Sequence, residues 1–247
     1  MKSESNPRSS TARPSAVGAM PSSVMKVEIP NFTAAPSMVG HRLLPAPCRL
    51  PRAAPPDPGA GAGRARGYRG PVRTVELTCD PAFDEAVRAV WDRLAEAGLP
   101  GLSLNTHPTH RPHLTLAAAG SFPPGAQERI DALLAAPALP LQVRLSGLLS
   151  FSARSRRRVL SWGVVPTAEL LALHGAVWRE LADAEEPHPF YLPGRWMPHL
   201  GLTRRMEPDQ LITALEVLGR LPDLPGVLDA GRSYDTETRQ TVPLGAG

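Results

Sequence analysis

From position 71 onwards, the spacing of apolar residues alternates between strand-like and helix-like patterns. The segment "RTVELT" at 73–78 predicts a short strand. The next segment, "DPAFDEAVRAVWDRLAEAG", predicts a helix, because Asp80 suits the N-cap, Pro81 the first turn and Gly98 the position past the end. Its apolar residues recur at helical spacing on one face, and they are Phe83, Val87, Val90, Trp91 and Leu94. We expect that face to be core.

The same two patterns continue towards the C-terminus. A strand containing a histidine is predicted at about 112–118, followed by a weaker helix at about 125–136. Two strands, "LQVRLSGLLSF" and "RVLSWGVV", flank a basic loop. A helix capped by Thr167 runs to about 184, a second histidine strand spans about 196–203, Pro208 opens another helix, and 226–243 forms one or two strands. Strands and helices interleave twice in similar order, which predicts an α+β protein of two related lobes.

The first 70 residues differ in composition from the rest of the chain. They hold 11 of the 29 prolines, together with clusters of serine, alanine and glycine. Such a segment buries too little apolar surface to offset its ordering entropy, so we predict a disordered tail over 1–70 and one folded domain over 71–247. Three explanations of the tail remain open: a solvated tail, a targeting peptide, or a start codon placed upstream of a true start at Met20, Met25 or Met38.

The charge distribution separates the tail from the folded part. The pI is about 9.6 and the net charge +4, but residues 1–70 carry ten Lys or Arg against three acids, which leaves the remainder at −3. Any anion site in the domain must therefore be local. No apolar run approaches the roughly 20 residues of a membrane span. Cys48 and Cys79 lie in different settings, so we expect no disulfide framework and a cytoplasmic protein.

Two histidines, 86 residues apart, occupy near copies of one motif. These are "RPHLTLA" at 111–117 and "WMPHLGLT" at 196–203. Because strand side chains alternate faces, His113 and Thr115 share one face, and His199, Gly201 and Thr203 share another, with the leucines behind. A proline before each histidine suits the first residue of a strand or an edge. One copy is weak evidence, but a second Pro-His-Leu-x-Leu in an equivalent position is much stronger.

This pair of motifs resembles the two-histidine (2H) phosphoesterases, often labelled 2′-5′ RNA ligase or RNA 2′,3′-cyclic phosphodiesterase. That family has two His-apolar-Thr/Ser-apolar motifs, one per lobe, and the second often follows a tryptophan and a proline, as in "WMPH". The resemblance covers about residues 71–247. It implies a bilobal α+β fold, in which two pseudo-symmetric lobes with antiparallel sheets line a central cleft. It also implies one histidine per lobe in the cleft and no metal or other cofactor.

The reaction that the resemblance implies is hydrolysis of a 2′,3′-cyclic phosphate, at an RNA 3′ end or on a cyclic nucleotide, by a monomer away from membranes. This reaction needs a base for water and an acid for the departing sugar oxygen, and imidazole suits both. We predict His113 and His199 as the catalytic pair, with the two roles unassigned. Thr115 is expected to donate its hydroxyl to a phosphoryl oxygen. Ligation of 2′-5′ linkages would be the reverse chemistry of the same site.

Gly201 departs from the family pattern, which has Thr or Ser there. Losing a hydrogen bond to a charged group costs about 1.5–3 kcal/mol, or roughly 10- to 150-fold in rate, whereas losing a histidine's proton transfer costs about 10²- to 10⁴-fold. The glycine thus predicts a weakened or retuned site. Either the Gly201 backbone approaches the phosphate or Thr203 supplies a hydroxyl. The alternative function is a catalytically weak RNA- or nucleotide-binding module of the same fold.

Further candidates for substrate contacts each have an ordinary structural explanation. Arg156, in the basic loop, and Arg204 are candidates to hold an RNA backbone or phosphate, or are surface charge. Tyr191 is a candidate to stack a base, as are Trp196 and Phe151, although such aromatic residues are more often core. The stretch "HPTHRPH" offers three histidines, but its prolines break any helical register and it has no carboxylate, so we predict no metal site.

Overall fold

A computed structural model describes residues 72–135 and 137–245 as alternating strands and helices; the predicted tail lies outside these residues. The elements are β1 (Arg73–Cys79), α1 (Pro81–Glu96), a 3-10 helix (Leu102–Leu104), β2 (His113–Ala119), α2 (Ala126–Leu134), β3 (Leu141–Ser152), a 3-10 helix (Arg154–Arg156), β4 (Arg158–Val164), α3 (Ala168–Glu180), β5 (His199–Gly201), α4 (Pro208–Leu218), β6 (Leu224–Asp235) and β7 (Thr241–Leu244). The predicted α+β class is confirmed.

The strands form one antiparallel sheet in the order β1-β2-β5-β4-β3-β6-β7, and β6 also pairs with β1. β6 links the two halves of the sheet, because its first residues pair with β3 and those from Leu228 onwards pair with β1. The halves meet again where Leu114 of β2 pairs with Leu200 of β5. The two lobe sheets that the resemblance implies are thus halves of a single hydrogen-bonded sheet, each half containing one histidine strand.

The core contains the helix faces expected from the apolar spacing. Asp80 caps α1 by accepting a hydrogen bond from the Phe83 N–H (2.7 Å), and Thr167 caps α3 through the Leu170 N–H (3.2 Å). All five apolar residues of the α1 stripe are buried. Among the described residues, no helix has the length and hydropathy needed to cross a membrane.

The second histidine strand is shorter than predicted. β5 has three residues, against the eight expected over 196–203. Trp196 lies outside β5, directly after a turn, and its N–H donates to the Leu192 carbonyl (3.1 Å). After Gly201, the N–H groups of Leu202 and Thr203 both donate to the Leu160 carbonyl. Regular pairing therefore ends at Gly201, and the alternation of faces ends with it.

The pairing of Leu114 with Leu200 should dominate the stability of the region between the two halves. Both side chains are fully buried. We expect Leu200→Ala to lower the free energy of unfolding by about 2–5 kcal/mol, because it leaves a cavity in the core. Urea unfolding followed by circular dichroism measures this change.

The matched control is Leu171→Ala on α3, a leucine with 47% of its surface exposed. Its free energy of unfolding should change by less than about 0.5 kcal/mol. Equal losses for the two variants would contradict the central position of Leu200 in the core.

Candidate active site

The two motif histidines begin two neighbouring antiparallel strands, β2 and β5. Because Leu114 pairs with Leu200, His113 lies across from Gly201 and Thr115 lies across from His199. These four residues share one face of the sheet, opposite to the buried leucines. The two histidines are diagonal neighbours, at a typical backbone separation of about 7–8 Å. Residues 86 positions apart in the sequence are thus brought together on one surface.

Both histidine rings are held by the same contact. The Nδ1–H of His113 donates to the Arg111 carbonyl, and the Nδ1–H of His199 donates to the Met197 carbonyl, each at 2.7 Å. A carbonyl oxygen only accepts, so in both rings Nδ1 carries a proton. Nε2 is then the atom that gains or loses a proton, and it lies on the far side of the ring from the backbone.

Two cavities of different character flank the histidine pair. The cavity beside His113, of about 300 Å³, is lined mainly by polar side chains, among them Glu76, Asn105, Thr115 and Arg232. The cavity beside His199, of about 500 Å³, has several aromatic and apolar side chains in its lining, together with serines and Arg195; the former are Phe151, Val159, Phe190, Tyr191 and Met197. The Phe151 ring lies 4.6 Å from the His199 ring, centre to centre. The site therefore has one polar and one aromatic compartment.

Glu76 and Arg232 belong to this site, although the sequence analysis did not identify them. Glu76 of β1 lies across from Thr115 on one side and Arg232 on the other. Its carboxylate is buried, accepts hydrogen bonds from Arg232 (Nε, 2.8 Å) and the Thr74 hydroxyl (2.8 Å), and lies 3.7 Å from His113 Nε2. Burial raises the pKa of Glu76, but the charges of His113 and Arg232 and these hydrogen bonds outweigh it and hold the pKa below its usual value.

Tyr191, a candidate for base stacking in the sequence analysis, lies in the same part of the structure as His199. It lines the aromatic cavity together with His199. Its main-chain carbonyl accepts a hydrogen bond from His174 Nε2 (2.8 Å), which holds the segment in place. Burial and the nearby Glu76 carboxylate raise the pKa of Tyr191, while a hydrogen bond from Thr115 opposes them. Its phenol therefore lies beside Thr115, which lines the polar cavity.

Leu102 covers the position where the family motif has a hydroxyl. A Cβ added to Gly201 would lie 3.0 Å from the Leu102 Cδ1 atom, closer than ordinary contact. The Gly201 carbonyl accepts a hydrogen bond from the Trp91 indole N–H (2.8 Å), so it is already engaged. Across from Gly201, on β4, lies Ser161. Ser161 is buried and lines the cavity of His199. The sequence analysis did not identify it, because it lies in a strand whose pattern is typical of the core.

Thr203 does not take the position that the sequence analysis gave it. The residue is 2% exposed, and its hydroxyl accepts a hydrogen bond from the Leu160 N–H at 2.9 Å. The prediction assumed that strand alternation continues past Gly201, whereas β5 ends there. Thr203 therefore connects the end of β5 to β4 through this hydrogen bond. It does not line either cavity.

The two predicted arginines lie outside both cavities. The Arg204 guanidinium is exposed and donates to the Leu104 carbonyl (3.2 Å). Arg156 lines a separate surface cavity with Pro208, and that cavity shares Ser152 with the aromatic one. Arg156 is thus next to the site, whereas Arg204 is held away from the histidines.

The histidines of "HPTHRPH" make separate contacts. His110 stacks on Trp91 at 5.0 Å, and its Nε2–H donates to the Leu102 carbonyl (3.1 Å). Burial lowers the pKa of His110 to about 4. The Nδ1 atom of His107 is hydrogen-bonded to the Thr109 hydroxyl (2.9 Å). Within the described residues, no three His, Cys, Asp or Glu side chains lie close enough to hold a metal ion.

Comparison with known protein families gives one match. The family model described as "2′-5′ RNA ligase superfamily" matches residues 81–232, which is more than half of the chain and includes both histidine motifs. No curated protein matches the sequence closely enough to be compared with it.

Several solved structures resemble the chain at low identity. Escherichia coli LigT complexed with NADP+ is 19% identical, with 72% of this chain and 96% of that chain covered and a TM-score of 0.44. Kluyveromyces marxianus Usb1 with uridine monophosphate is 13% identical, with 71% and 98% covered and a TM-score of 0.46. TT0787 of Thermus thermophilus is 18% identical, with 70% and 98% covered and a TM-score of 0.44. Because the family model matches more than half of this chain, the chain belongs to the 2′-5′ RNA ligase superfamily.

Proposed function

We propose that this protein is a metal-independent phosphodiesterase that hydrolyses 2′,3′-cyclic phosphates at RNA 3′ ends or on nucleotides. The observation that carries the proposal is the pair His113 and His199, which share one face of two neighbouring strands and present Nε2 in the same way. Membership of the superfamily supports it. We propose further that the protein acts in the cytoplasm as a monomer.

The proposed reaction is a single displacement at phosphorus. One neutral imidazole takes a proton from water through Nε2 while the water oxygen bonds to phosphorus. The other, protonated imidazole donates its Nε2 proton to the sugar oxygen while the bond from that oxygen to phosphorus breaks. A phosphoryl group between the two diagonal rings would meet both Nε2 atoms, so each proton transfer needs no intermediate carrier.

We propose that two hydroxyl groups hold the phosphoryl oxygens. Thr115 lies across from His199 on the same face. Ser161 lies across from Gly201 and lines the cavity of His199, so we propose that it supplies the hydroxyl that the second motif lacks. Hydroxyl donors fixed where charge develops stabilise the transition state.

The aromatic cavity is proposed to hold the nucleobase. Phe151 and Tyr191 line it beside His199 and offer ring faces for stacking. A longer RNA leaving this cavity past Ser152 would reach Arg156, which we propose as a backbone contact. Because Arg204 donates to the Leu104 carbonyl, we propose no phosphate contact for it.

One observation favours the second candidate function, a binding module with little turnover. Leu102 fills the space beside Gly201 where the family motif has its hydroxyl. If Ser161 does not compensate, the site binds a cyclic phosphate without cleaving it at a useful rate. Binding of a cyclic-phosphate RNA without product formation would identify this function.

The two-histidine mechanism predicts activity that needs no metal. The full chain should convert a short RNA ending in a 2′,3′-cyclic phosphate in the presence of EDTA. His113→Ala and His199→Ala should each lower kcat/KM by about 10²- to 10⁴-fold, since each removes one proton transfer. Product formation is measured by chromatography of the RNA.

The control variant is Arg129→Ala, which removes an exposed arginine that pairs with Glu180 (2.7 Å) away from both cavities. It should keep the parental rate. Loss of activity on chelation, or full activity in either histidine variant, would refute the mechanism.

Ser161→Ala tests the proposed replacement of the motif hydroxyl. The loss of one hydrogen bond to a charged phosphoryl oxygen should lower kcat/KM by roughly 10- to 150-fold. In the Ser161→Ala background, Gly201→Ser combined with Leu102→Ala should restore part of the rate, because it returns the hydroxyl and clears the space that Leu102 occupies.

Ser121→Ala is the matched control, because the Ser121 hydroxyl donates a hydrogen bond to the Glu185 carboxylate (2.8 Å) outside both cavities. It should leave kcat/KM unchanged. A parental rate in Ser161→Ala would show that Ser161 does not hold the phosphate.

A further inference from the structure

One wall of the aromatic cavity is the segment 188–197, which we call the wall segment. It lies between α3 and β5 and consists of turns and extended backbone. The Nε2–H of His174 on α3 donates to the Tyr191 carbonyl (2.8 Å). The main-chain N–H of His188 donates to the Ala118 carbonyl of β2 (2.9 Å). These two bonds attach the wall segment to α3 and β2, so its side chains are presented to the cavity from an anchored backbone.

The wall segment presents apolar side chains that the core does not cover. Phe190 is 60% exposed and Met197 is 51% exposed, and both line the aromatic cavity. The Phe190 ring lies 5.6 Å from the His188 ring, centre to centre. A large ring that lines a cavity and is not packed in the core offers a flat face to a ligand. Nucleobases stack on such faces whatever their sequence.

Arg195 brings a positive charge to the same wall. Among the described residues that line this cavity, it is the one arginine or lysine. Its guanidinium lies over the Phe190 ring, 6.0 Å from the ring centre. Stacked groups approach to roughly 3.5–4 Å. The guanidinium and the ring are therefore not in tight contact, and a planar base can enter beside both.

The N–H groups of Arg195 are not used by the described part of the chain. Arg232, in the polar cavity, pairs with Glu76 (2.7 Å), and Arg158 donates to the Ser152 hydroxyl (2.9 Å). Arg195 forms no ion pair with any carboxylate in the described ranges. A guanidinium has five N–H donors and no acceptor. The cavity thus contains a fork of donors beside an uncovered aromatic ring.

We propose that Arg195 determines base specificity, and that the base it selects at the RNA 3′ end is guanine. The guanidinium fork donates to O6 and N7 of guanine while the base stacks on Phe190 or Phe151. This inference rests on the proposed hydrolysis of terminal 2′,3′-cyclic phosphates and adds to it the identity of the terminal base.

The four bases differ in what they offer to a donor fork. Guanine has two neighbouring acceptors, O6 and N7, at the spacing of two parallel N–H groups. Adenine has an amino donor in place of O6, so a donor would face a donor. Uracil has no two neighbouring acceptors, and the O2 atom of cytosine adjoins the bond to the sugar. The Ser150 hydroxyl, which also lines the cavity, can accept from the N–H groups of guanine.

A phosphate of the RNA backbone is the other group that an arginine fork binds. The position of Arg195 favours the base. The reacting phosphate is assigned to the face of β2 and β5, whereas Arg195 belongs to the wall segment, beside the uncovered Phe190 ring. Lysine separates the two roles, because its ammonium group keeps the charge but has no planar fork.

Turnover of four short RNAs, identical except for the base that bears the terminal 2′,3′-cyclic phosphate, tests the inference. In the full chain, kcat/KM for guanine should exceed that for adenine by roughly 5- to 150-fold, the range of one bidentate contact. Arg195→Lys should remove this preference, so that the four values converge. Because the Arg195 side chain is exposed, both Arg195→Lys and Arg195→Ala should fold, which circular dichroism checks.

Two further variants show that the effect is specific. Phe190→Ala should lower kcat/KM for all four RNAs by a similar factor and preserve their order, because stacking does not distinguish the bases by hydrogen bonds. Arg204→Lys is the matched control, since Arg204 is exposed and donates to the Leu104 carbonyl outside both cavities. It should keep the parental values.

Two results would overturn the role of Arg195. The first is equal turnover of the four RNAs by the parent. The second is a guanine preference that persists in Arg195→Lys, while Arg195→Ala lowers all four rates equally. That second pattern is the one expected of a phosphate contact, in which charge matters and the fork does not.

Calorimetric binding of nucleoside 3′-monophosphates separates this inference from the proposed function, because it needs no turnover. Guanosine 3′-monophosphate should bind the parent more tightly than adenosine 3′-monophosphate, and Arg195→Lys should abolish the difference. Equal affinities in the parent overturn the inference whether or not RNA is cleaved. A guanosine preference that depends on Arg195, in a protein that converts none of the four RNAs, overturns the proposed hydrolysis and leaves the base contact standing.

Discussion

The pairing of Leu114 with Leu200 is the contact on which the arrangement of the site depends. Both leucines are fully buried, and they form the register point between β2 and β5. Side chains alternate along a strand, so a slip of one residue in either strand would turn its histidine from the cleft into the core. Burial of the two leucines thus decides that both histidines face the same side, and the closed pairing through β6 keeps the halves together.

A strand of three residues needs support beyond its own ladder. Three tryptophan indole N–H groups donate to main-chain carbonyls of the histidine strands: Trp91 to Gly201 (2.8 Å), Trp196 to Thr115 (3.1 Å) and Trp178 to Leu116 (3.2 Å). In addition, the Thr203 hydroxyl, just after β5, accepts a hydrogen bond from the Leu160 N–H of the neighbouring strand β4. Buried main-chain groups are costly when unpaired, so these side chains stabilise the strands that contain the two motif histidines. Thus aromatic residues that sequence patterns assign simply to the core also hold the site.

Charge in this domain is organised locally. The part of the chain beyond residue 70 is net negative, so it has no bulk attraction for phosphate. The two cavities instead combine histidines, neutral hydroxyls, Arg195 and one buried ion pair, Glu76 with Arg232. Such a pair contributes little net stability once its desolvation is counted. Its position beside only one of the two histidines is what distinguishes their chemical environments.

The sequence by itself determined the local structure and the identity of the central pair. Periods of 3.6 and 2 located the helices and strands, and the repeated Pro-His-Leu motif singled out His113 and His199. Capping residues such as Asp80 and Thr167 also act where the sequence placed them, because a cap involves residues only three positions apart. Features of this kind depend on short-range spacing, which can be counted along the chain.

The tertiary structure alone decided which residues surround that pair. Glu76 and Ser161 join the site through cross-strand register, and that register links positions far apart in the chain. Thr203 was misplaced because the end of β5 is set by hydrogen bonds to Leu160, and no local pattern records those bonds. Which residues of two strands pair depends on which faces of the strands are buried, and that depends on packing throughout the core. The sequence therefore determined which side chains share a face of a strand, whereas the fold determined which residues of other strands lie next to them.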